Sequence, residues 1–303
     1  MKKIFDSKLF KTIILPIIPM MFWGSLFPFV KIGYNAFNIS PASVPDILMF
    51  AAVRFVVSGI IVMILAQLTG KNEEKPTKAN IGMIVVMGLF AIVLHYAFTY
   101  IGLGITDSSK TALLKQMAPL MYSCFAFLFI RSEKFSASKI VGAVVGFLGI
   151  IAINLGTDVK GLSFGDVLIL LASFCSVISS VLSWNIVKNT SPFWSTGISQ
   201  FTGGVILLVA AFVLGAEFPV FTIKSALVFA YICTASILGY VLFGYAQRHS
   251  DMSKLFIIKF AEPLFACFFG AVLLGEDIFK IQYLAAFVLV SLGIVLANKR
   301  GVS

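Results

Sequence analysis

The chain has 303 residues, of which 59% are hydrophobic and only 12% are charged, with a mean hydropathy of +1.02 and a net charge of +10. Soluble domains carry about 25% charged and about 45–50% apolar residues. The composition therefore excludes a water-soluble globule, a disordered chain, a collagen and a disulfide scaffold. The 31 phenylalanines suit helices that face lipid and one another.

Ten apolar runs follow along the chain, and a helix that crosses a bilayer needs about 20 such residues. The runs are Thr12–Ile32, Pro45–Leu68, Ile81–Gly102, Ser109–Ile130, Ile140–Leu155, Phe164–Val187, Phe193–Leu214, Ser225–Gln247, Met252–Leu274 and Ile281–Asn298. The first run follows several lysines, as a signal peptide does, but it is long and no small-residue cleavage site follows it. The sequence predicts an all-α membrane protein with ten transmembrane helices.

The basic residues between the runs predict the orientation of the chain. One set of alternate gaps holds 15 lysines and arginines, whereas the other holds only five, Lys31, Lys110, Lys160, Lys224 and Lys280. Because basic loops stay in the cytoplasm, we expect a multi-pass protein of the plasma (inner) membrane with both termini cytoplasmic. No basic face with interleaved aromatic residues is present in the sequence, so the expected partners include the lipid bilayer and no nucleic acid.

The chain repeats itself at a shift of 144 residues. The register runs without a gap from Tyr96 on Tyr240 to Asn154 on Asn298, with 14 identities in 59 positions. We therefore divide the chain into a first five-helix repeat, residues 1–155, and a second, residues 156–303. Because five is an odd number of spans, the second repeat must be inverted relative to the first, an arrangement typical of transporters.

Away from the ends of the predicted spans, four charged side chains occur, Arg54, Lys115, Lys259 and Glu262. Such residues are expensive in a membrane, about 2.5–3.5 kcal/mol each at mid-helix, and are candidates for function. Lys115 and Lys259 are repeat mates that we expect to approach a central cavity from opposite helices. The alternative is that both lysines snorkel to the lipid headgroups.

Each of these lysines precedes a proline by four residues, Pro119 or Pro263, which predicts a helix kink in each repeat. Glu262 shares a helix face with Lys259, so it either neutralises that lysine or binds a substrate ammonium or a proton. Arg54 lies near mid-span without an acidic residue within one turn, which favours a role in the cavity or between helices. With three positive groups and one negative, the cavity favours an anionic ligand.

Further candidates are less specific. His95 carries protons or is a satisfied interior histidine, and Tyr96 lies beside it. Trp23 and Trp184 lie in the first span of the first and second repeat, and each either lines the transport pathway or packs in the interior. Gln116 adds a hydrogen-bonding group. We therefore predict substrate binding by Lys115, Lys259, Glu262, Arg54, Trp23, Trp184, Tyr96 and Gln116, with proton coupling through Glu262 or His95.

Enzyme chemistry is not indicated by the sequence. Motifs for a metallopeptidase, a serine hydrolase or a phosphate-binding loop are missing from it, and so is an acidic pair suited to a metal. The four cysteines lie inside apolar runs, where thiols are usually small core residues, so neither a disulfide nor a metal site is expected. Without a nucleotide motif, a secondary carrier without cofactors is expected rather than a pump.

Several short segments, taken in order, resemble a known family. These are Trp23-Gly24-Ser25, Arg54-Phe55, Ala118-Pro119-Leu120, the segment from Arg131 to Ser136, and Gly275-Glu276-Asp277, the last two each followed by a glycine-bearing final span. Their order and spacing are similar to those of the drug/metabolite transporter (DMT) superfamily, and more specifically of its EamA-type ten-helix members. The resemblance covers nearly the whole chain.

The resemblance implies a ten-helix bundle whose central cavity alternates between the membrane faces. Members of similar size often export amino acids or related metabolites, while others move nucleotide sugars or phosphorylated compounds. This chain departs from the common pattern at Lys115 and Lys259, where family members often have an apolar or small residue. It also lacks the first-helix glutamate on which the small multidrug members rely, which argues against a cationic-drug exporter.

The sequence thus predicts a secondary transporter that moves a small metabolite across the plasma membrane by alternating access. The leading candidate is an amino acid or a derivative with a carboxylate or other anionic group, and the alternative is an exchanger of organic or phosphorylated anions. A membrane-embedded enzyme acting on lipids is the alternative from another class. A monomer is the simplest form, and an oligomer is compatible with the sequence.

Overall fold

The computed structural model describes residues 14–69, 74–122, 162–250, 261–277 and 280–298, together with residues 141, 142, 144–146, 148, 149, 152, 255, 258 and 259. The helices are α1 (Leu15–Ala36), α2 (Val44–Thr69), α3 (Lys78–Gly88), α4 (His95–Gly104), α5 (Ser108–Lys115), α6 (Phe164–Ile186), α7 (Pro192–Val213), α8 (Ile223–His249), α9 (Ala261–Leu274) and α10 (Ile281–Asn298). A π-helical segment, Leu89–Leu94, joins α3 and α4 into one span. The described part of the chain contains helices and no strands, so the protein is an all-α membrane protein, as predicted.

Helical residues occur within each of the ten predicted spans. Six helices, of 22 to 27 residues, are long and apolar enough to cross a membrane, and α9 and α10 are shorter apolar helices. Most of the predicted span Ile140–Leu155 and the second half of the span Ser109–Ile130 lie outside the described residues, as do both termini and the segment from Arg131 to Lys139. The orientation of the termini therefore stays a prediction.

Capping residues at the N-terminal ends determine where several helices begin. Ser163 and Asp166 form a capping box at the start of α6, in which each side chain accepts a hydrogen bond from the other residue's backbone N–H. Thr222 and Ser225 form the equivalent box at the start of α8. Pro192 occupies the first turn of α7, where its missing N–H removes no helical hydrogen bond.

The outer surface of the bundle is strongly apolar. Leu68, Val213 and Ile223 are 74%, 81% and 85% exposed, and many other large aliphatic and aromatic side chains are also exposed. In water such a surface would drive aggregation, but in a bilayer it is the surface that lipid chains contact. The exposed apolar residues therefore agree with the length and hydropathy of the spans.

The helices of the two halves pack against each other in a reciprocal pattern. In the first half, α1 packs against α8 and α9 of the second half. In the second half, α6 packs against the span α3–α4 and against α5 of the first half, while α2 packs against α7. Each opening helix thus lies against the third and fourth spans of the other half, as expected when two halves are related by a pseudo-two-fold axis.

Helices α2 and α7 pack very closely against each other. A Cβ atom added to Gly204 would lie 2.6 Å from the backbone nitrogen of Val56, and one added to Gly197 would lie 2.7 Å from the side chain of Met63. Lipid supplies no hydrophobic driving force between helices, so small residues that allow close van der Waals packing hold such a pair together. The α2–α7 contact is therefore a tight seam between the halves.

Candidate functional site

A cavity lies between the two halves, and its lining includes residues from α1, α2, the α3–α4 span and α5 to α8. One part of the wall is aromatic: Trp23, Phe27, Tyr96, Tyr100, Tyr240 and Phe243. A second part carries hydroxyl groups from α6, namely Ser176, Ser179, Ser180 and Ser183, and from α7, namely Ser195, Thr196 and Ser199. The charged lining residues are Arg54, Lys115, Lys259 and Glu262. All four charged residues predicted inside the spans therefore border one cavity.

The cavity is displaced toward one end of the bundle. It is lined by α6 between Ser176 and Ser183, close to the end of that helix, and by α7 between Ser195 and Ser199, close to its start. We call this the α6–α7 end. The opposite end, where α6 begins and α9 is followed by α10, is the α9–α10 end.

Lys115 lies where its helix is interrupted. The helix α5 ends at Lys115, and the next residue, Gln116, donates its backbone N–H to the carbonyl of Leu113 at 3.0 Å, a tighter turn than the α-helix makes. Pro119 lacks the N–H that would bond to the carbonyl of Lys115, four residues earlier, so the regular pattern stops there. The interruption coincides with the predicted kink.

Lys259 occupies the matching position in the other half. Its carbonyl accepts a hydrogen bond at 3.0 Å from the backbone N–H of Glu262, three residues later, because Pro263 has no N–H to offer. Pro263 is buried but is not among the residues that line the cavity. The ammonium of Lys259 lies 5.4 Å from the ring centre of Phe243.

The carboxylate of Glu262 forms an ion pair with Lys115, across the boundary between the halves. The Lys115 Nζ to Glu262 Oε1 distance is 3.5 Å, and the two side chains are 16% and 7% exposed. The Lys115 ammonium also lies 5.0 Å from the ring centre of Phe27. Helical spacing pointed to Lys259 as a neutralising partner of Glu262, and the structure shows that its repeat mate Lys115 also pairs with this carboxylate.

Arg54 is fully buried and lies among aromatic rings. Its Nε donates a hydrogen bond of 2.7 Å to the hydroxyl of Ser236 on α8. The guanidinium carbon lies 4.6, 5.2 and 5.7 Å from the ring centres of Phe55, Tyr96 and Tyr100. Within the described residues, its two terminal nitrogens are buried and have no hydrogen-bond partner. Arg54 thus presents a desolvated cation with two unused donors at the cavity wall.

Tyr96 and Tyr240, the first matched pair of the sequence repeat, contact each other in the cavity. The hydroxyl of Tyr240 donates a hydrogen bond of 3.2 Å to the hydroxyl of Tyr96, its mate at the 144-residue shift. Two equivalent residues of a two-fold arrangement approach each other only near the axis. Tyr100, which sequence reasoning missed, lies one helical turn after Tyr96, and this i, i+4 spacing was the signal that places it on the same face.

His95 is held by a backbone group. Its Nδ1 lies 2.8 Å from the carbonyl oxygen of Ala172 on α6. Because a carbonyl only accepts hydrogen bonds, Nδ1 carries the hydrogen in this contact. His95 also belongs to the cavity lining, so its Nε2 is the nitrogen left for any exchange of protons.

The remaining predicted site residues divide into two groups. Gln116 and Trp23 line the cavity, and each has a buried side-chain atom without a hydrogen-bond partner in the described structure, Oε1 of Gln116 and Nε1 of Trp23. Trp184 is not among the lining residues, and its ring packs under the ammonium of Lys188 at 3.3 Å. The hydroxyl groups of α6 and α7 described above are functional candidates that sequence reasoning did not select.

At the α9–α10 end, polar contacts join the two halves. Lys110 forms an ion pair of 3.0 Å with Asp166, whose side chain is fully buried. Glu276 lies 3.7 Å from the ammonium of Lys31 and accepts a 3.0 Å hydrogen bond from the backbone N–H of Ser108. Every one of these contacts links a residue of the first half with a residue of the second.

A third connection at this end runs between Tyr283 and Asp107, whose Oδ2 accepts a hydrogen bond of 3.3 Å from the tyrosine hydroxyl. Gly275, just after α9, has a φ of +66°, a conformation that glycine adopts without strain. This turn brings the following residue, Glu276, to the boundary with the first half. In the described part of the chain, polar contacts of Lys110, Glu276 and Tyr283 therefore bridge the α9–α10 end.

The α6–α7 end is also bridged by polar contacts. They include hydrogen bonds of 2.9 Å from the Asn80 amide to the hydroxyl of Thr190 and of 3.0 Å from the Ser191 N–H to the backbone carbonyl of Glu74. Arg248 forms an ion pair of 2.8 Å with Glu74, but these side chains are 25% and 56% exposed. The same guanidinium donates hydrogen bonds to the backbone carbonyls of Val187 and Thr190, which belong to its own half. Exposed ion pairs contribute about 0–1 kcal/mol, so this contact holds the halves together weakly.

Comparison with known proteins adds a family match over most of the chain. The model of the EamA-like transporter family matches residues 10–155 and again residues 163–299. A relative from Escherichia coli K12, named "Uncharacterized inner membrane transporter YedA", is 27% identical over 280 residues, covering 89% of this chain and 87% of the relative. The two matched segments contain all the cavity-lining residues described above.

Two further proteins are similar along nearly their whole length. "Uncharacterized transporter YyaM" from Bacillus subtilis is 23% identical over 287 residues, which is 92% of this chain and 90% of the relative. A protein of known crystal structure superposes with a TM-score of 0.65 at 16% identity, over 96% of this chain and 97% of that one. This structural likeness shows the fold, and both relatives are named as transporters.

Proposed function

Because the chain belongs to the EamA-like transporter family, we propose that it is a secondary carrier for a small metabolite with a carboxylate or another anionic group. The protein is a transporter, and the substrate class is the part that this proposal adds. Amino acids and organic or phosphorylated anions all fall within the class.

The observation that carries the proposal is the charge of the cavity wall. Among its described residues are three cations, Arg54, Lys115 and Lys259, and a single carboxylate, Glu262. Lys115 already neutralises that carboxylate at 3.5 Å. On this wall the cations outnumber the carboxylate by two, and such a buried site favours an anion because charges are costly to desolvate unless opposite charge balances them.

Alternating access is the mechanism that we propose for this carrier. The cavity lies near the α6–α7 end, while the α9–α10 end is bridged by the buried Lys110–Asp166 pair and its neighbours. This asymmetry suits a state in which the site communicates with the α6–α7 end. By the distribution of basic residues that end is cytoplasmic, so the mechanism requires the polar bridges at the other end to open in turn.

Transport by the purified protein in liposomes tests the proposal. Vesicles loaded with one compound are challenged with labelled amino acids, organic acids, phosphorylated metabolites and nucleosides, and counterflow is measured. We expect exchange with one or more anionic compounds and none with nucleosides or purely cationic compounds. Exchange confined to cationic or neutral compounds would overturn the proposed substrate class.

The same vesicles decide whether protons are coupled to transport through Glu262 or His95, as proposed from the sequence. If a proton crosses with the substrate, an imposed pH gradient drives accumulation of that substrate against its own gradient. An exchange rate that is independent of pH, together with no accumulation, removes the coupling and leaves a passive exchanger.

A further inference from the structure

The surroundings of Arg54 restrict the chemistry of the ligand more than those of the two lysines do. Its side chain is fully buried, its Nε is engaged by Ser236 at 2.7 Å, and both terminal nitrogens are without hydrogen-bond partners in the described residues. We propose that these two nitrogens bind the carboxylate of a flat, aromatic carboxylic acid that carries no ammonium group. The inference rests on the proposed function and narrows its substrate class.

A cation at this position needs a counter-ion. No carboxylate of the described chain forms an ion pair with Arg54, and the carboxylate that lines the cavity, that of Glu262, is paired with Lys115. The rings of Phe55, Tyr96 and Tyr100 attract the guanidinium through their faces, which offsets only part of the lost hydration. The remaining compensation is what a bound anion supplies.

The geometry of the side chain favours a carboxylate. A guanidinium presents its donors in a planar fork, and a carboxylate accepts two parallel hydrogen bonds from it. With Nε bound to Ser236, the edge formed by the two terminal nitrogens is the edge left for such a bidentate pair. Ser236 belongs to α8 and Arg54 to α2, so the fork is fixed between helices of the two halves.

The surroundings select the body of the ligand. Beyond Arg54 the wall continues in the rings of Trp23, Tyr96, Tyr100 and Tyr240, all of which line the cavity. Such a wall packs well against a flat ring, with gains of about 0.5–1.5 kcal/mol per ring pair beyond the area buried, which is roughly a two- to tenfold gain in affinity. An aliphatic acid of the same size cannot make these ring–ring contacts.

An ammonium group on the ligand finds no counterpart there. Glu262 is the carboxylate on the described wall, and Lys115 lies 3.5 Å from it, so an amino acid must displace an internal ion pair before its ammonium is compensated. Lys259, on the same wall, repels an ammonium further. The site therefore discriminates against zwitterions.

The carboxylate reaches Arg54 by moving one ring. The terminal nitrogens are covered, and the ring of Tyr96 lies 5.2 Å from the guanidinium carbon while its hydroxyl receives a hydrogen bond from Tyr240. A swing of the whole Tyr96 side chain about its Cα–Cβ bond breaks that hydrogen bond and uncovers the fork. Binding thereby releases the direct contact between the two repeat mates.

Four matched ligands test the chemistry on the purified wild-type chain. We would measure binding of 3-phenylpropanoate, its primary amide, phenylalanine and hexanoate by calorimetry. We expect the aromatic carboxylate to bind at least tenfold more tightly than each of the other three. Equal binding of the amide refutes the carboxylate subsite, and equal or tighter binding of phenylalanine refutes the exclusion of an ammonium.

Variants then assign the binding to the residue. We expect Arg54→Gln to weaken 3-phenylpropanoate by about 10- to 100-fold, as expected for a lost charge-assisted contact, and Arg54→Lys by less. The control, Lys224→Gln, removes an exposed charge at the start of α8 and should leave the affinity unchanged. Unaltered affinity in both Arg54 variants overturns the assignment, and the proposed function survives as long as other anions bind. If no anion of the liposome panel binds the wild type, the proposed function itself fails.

Discussion

At the scale of single residues, the ion pair between Lys115 and Glu262 is the contact whose loss should be easiest to measure. The pair is largely buried and joins the fourth predicted span to α9. Removing one member of a buried pair leaves the other charge uncompensated, which typically costs about 3–5 kcal/mol. Since Lys115 is 16% exposed at its side chain, we expect a loss near the lower end of that range.

We predict that Lys115→Met and Glu262→Gln each lower the melting temperature of the protein in detergent, and that the double variant loses less than the two single losses combined. The reason is that the second substitution removes the charge that the first one left unpaired. Thermal unfolding followed by circular dichroism measures all four members of this cycle.

Strict additivity in the cycle would show that the two side chains do not interact. The matched control is Glu74→Gln with Glu262→Gln, because Glu74 pairs with Arg248 in an exposed contact at the α6–α7 end. Distant substitutions usually add within about 0.3–0.5 kcal/mol, so this control pair should be additive.

At the scale of helices, the seam between α2 and α7 depends on glycine. The Cβ atom of an alanine at position 204 would lie 2.6 Å from the backbone nitrogen of Val56, and a backbone atom has little freedom to move away. Overpacking of this kind costs about 1–3 kcal/mol. The seam should therefore tolerate no side chain at this position.

We predict that Gly204→Ala lowers the melting temperature, although alanine favours a helix over glycine by roughly 0.5–1 kcal/mol. Gly82 in α3 provides the control, since an added Cβ there meets nothing within 4 Å. The same substitution at Gly82 should leave the melting temperature unchanged or raise it. A Gly204→Ala variant as stable as the wild type would mean that the two helices are not held at this separation.

Much of the helical arrangement was predictable because apolar length and proline spacing act locally. The interruption at Lys115 follows from Pro119, since a proline removes the hydrogen bond to the carbonyl four residues before it. The π-helical segment Leu89–Leu94 was not predictable, because nothing in that apolar run distinguishes a wide turn from a regular one. Element type thus follows from composition, whereas local irregularity depends on packing.

The partners of the charged residues were harder to predict than their presence in the cavity. Helical spacing favoured Lys259 as a partner of Glu262, but it gave no sign of the ion pair of 3.5 Å that Lys115 makes from 147 positions away. The contact of Arg54 with Ser236 spans 182 positions. Sequence spacing reports neighbours along one helix, and these contacts depend on how two halves of the chain fold against each other.

At the scale of the whole molecule, the two ends differ in how deeply the ion pairs between the halves are buried. The Lys110–Asp166 pair at the α9–α10 end has a fully buried carboxylate, whereas the Arg248–Glu74 pair at the α6–α7 end is largely exposed. A buried charge-assisted contact contributes about 1.5–3 kcal/mol, and an exposed pair about 0–1 kcal/mol. If access alternates as proposed, this difference between the ion pairs favours a resting state that is closed at the α9–α10 end.

We predict that Asp166→Asn shifts the protein toward the state open at the α9–α10 end. The reporter is Thr196→Cys in the cavity wall, in a chain whose four native cysteines are replaced by alanine. A membrane-impermeant thiol reagent is added to intact cells and to inverted vesicles. We expect labelling mainly from the α6–α7 side in the parent, and roughly tenfold faster labelling from the other side in the Asp166→Asn variant, which corresponds to about 1.4 kcal/mol.

Glu74→Gln is the matched control, because it removes one carboxylate from the exposed pair at the α6–α7 end. This substitution should leave labelling from both sides nearly unchanged, since the exposed pair contributes little to either state. If Glu74→Gln altered the labelling more than Asp166→Asn did, the exposed contact would be the one that sets the resting state. The cavity would then be closed by the α6–α7 end, and the proposed direction of opening would have to be reversed.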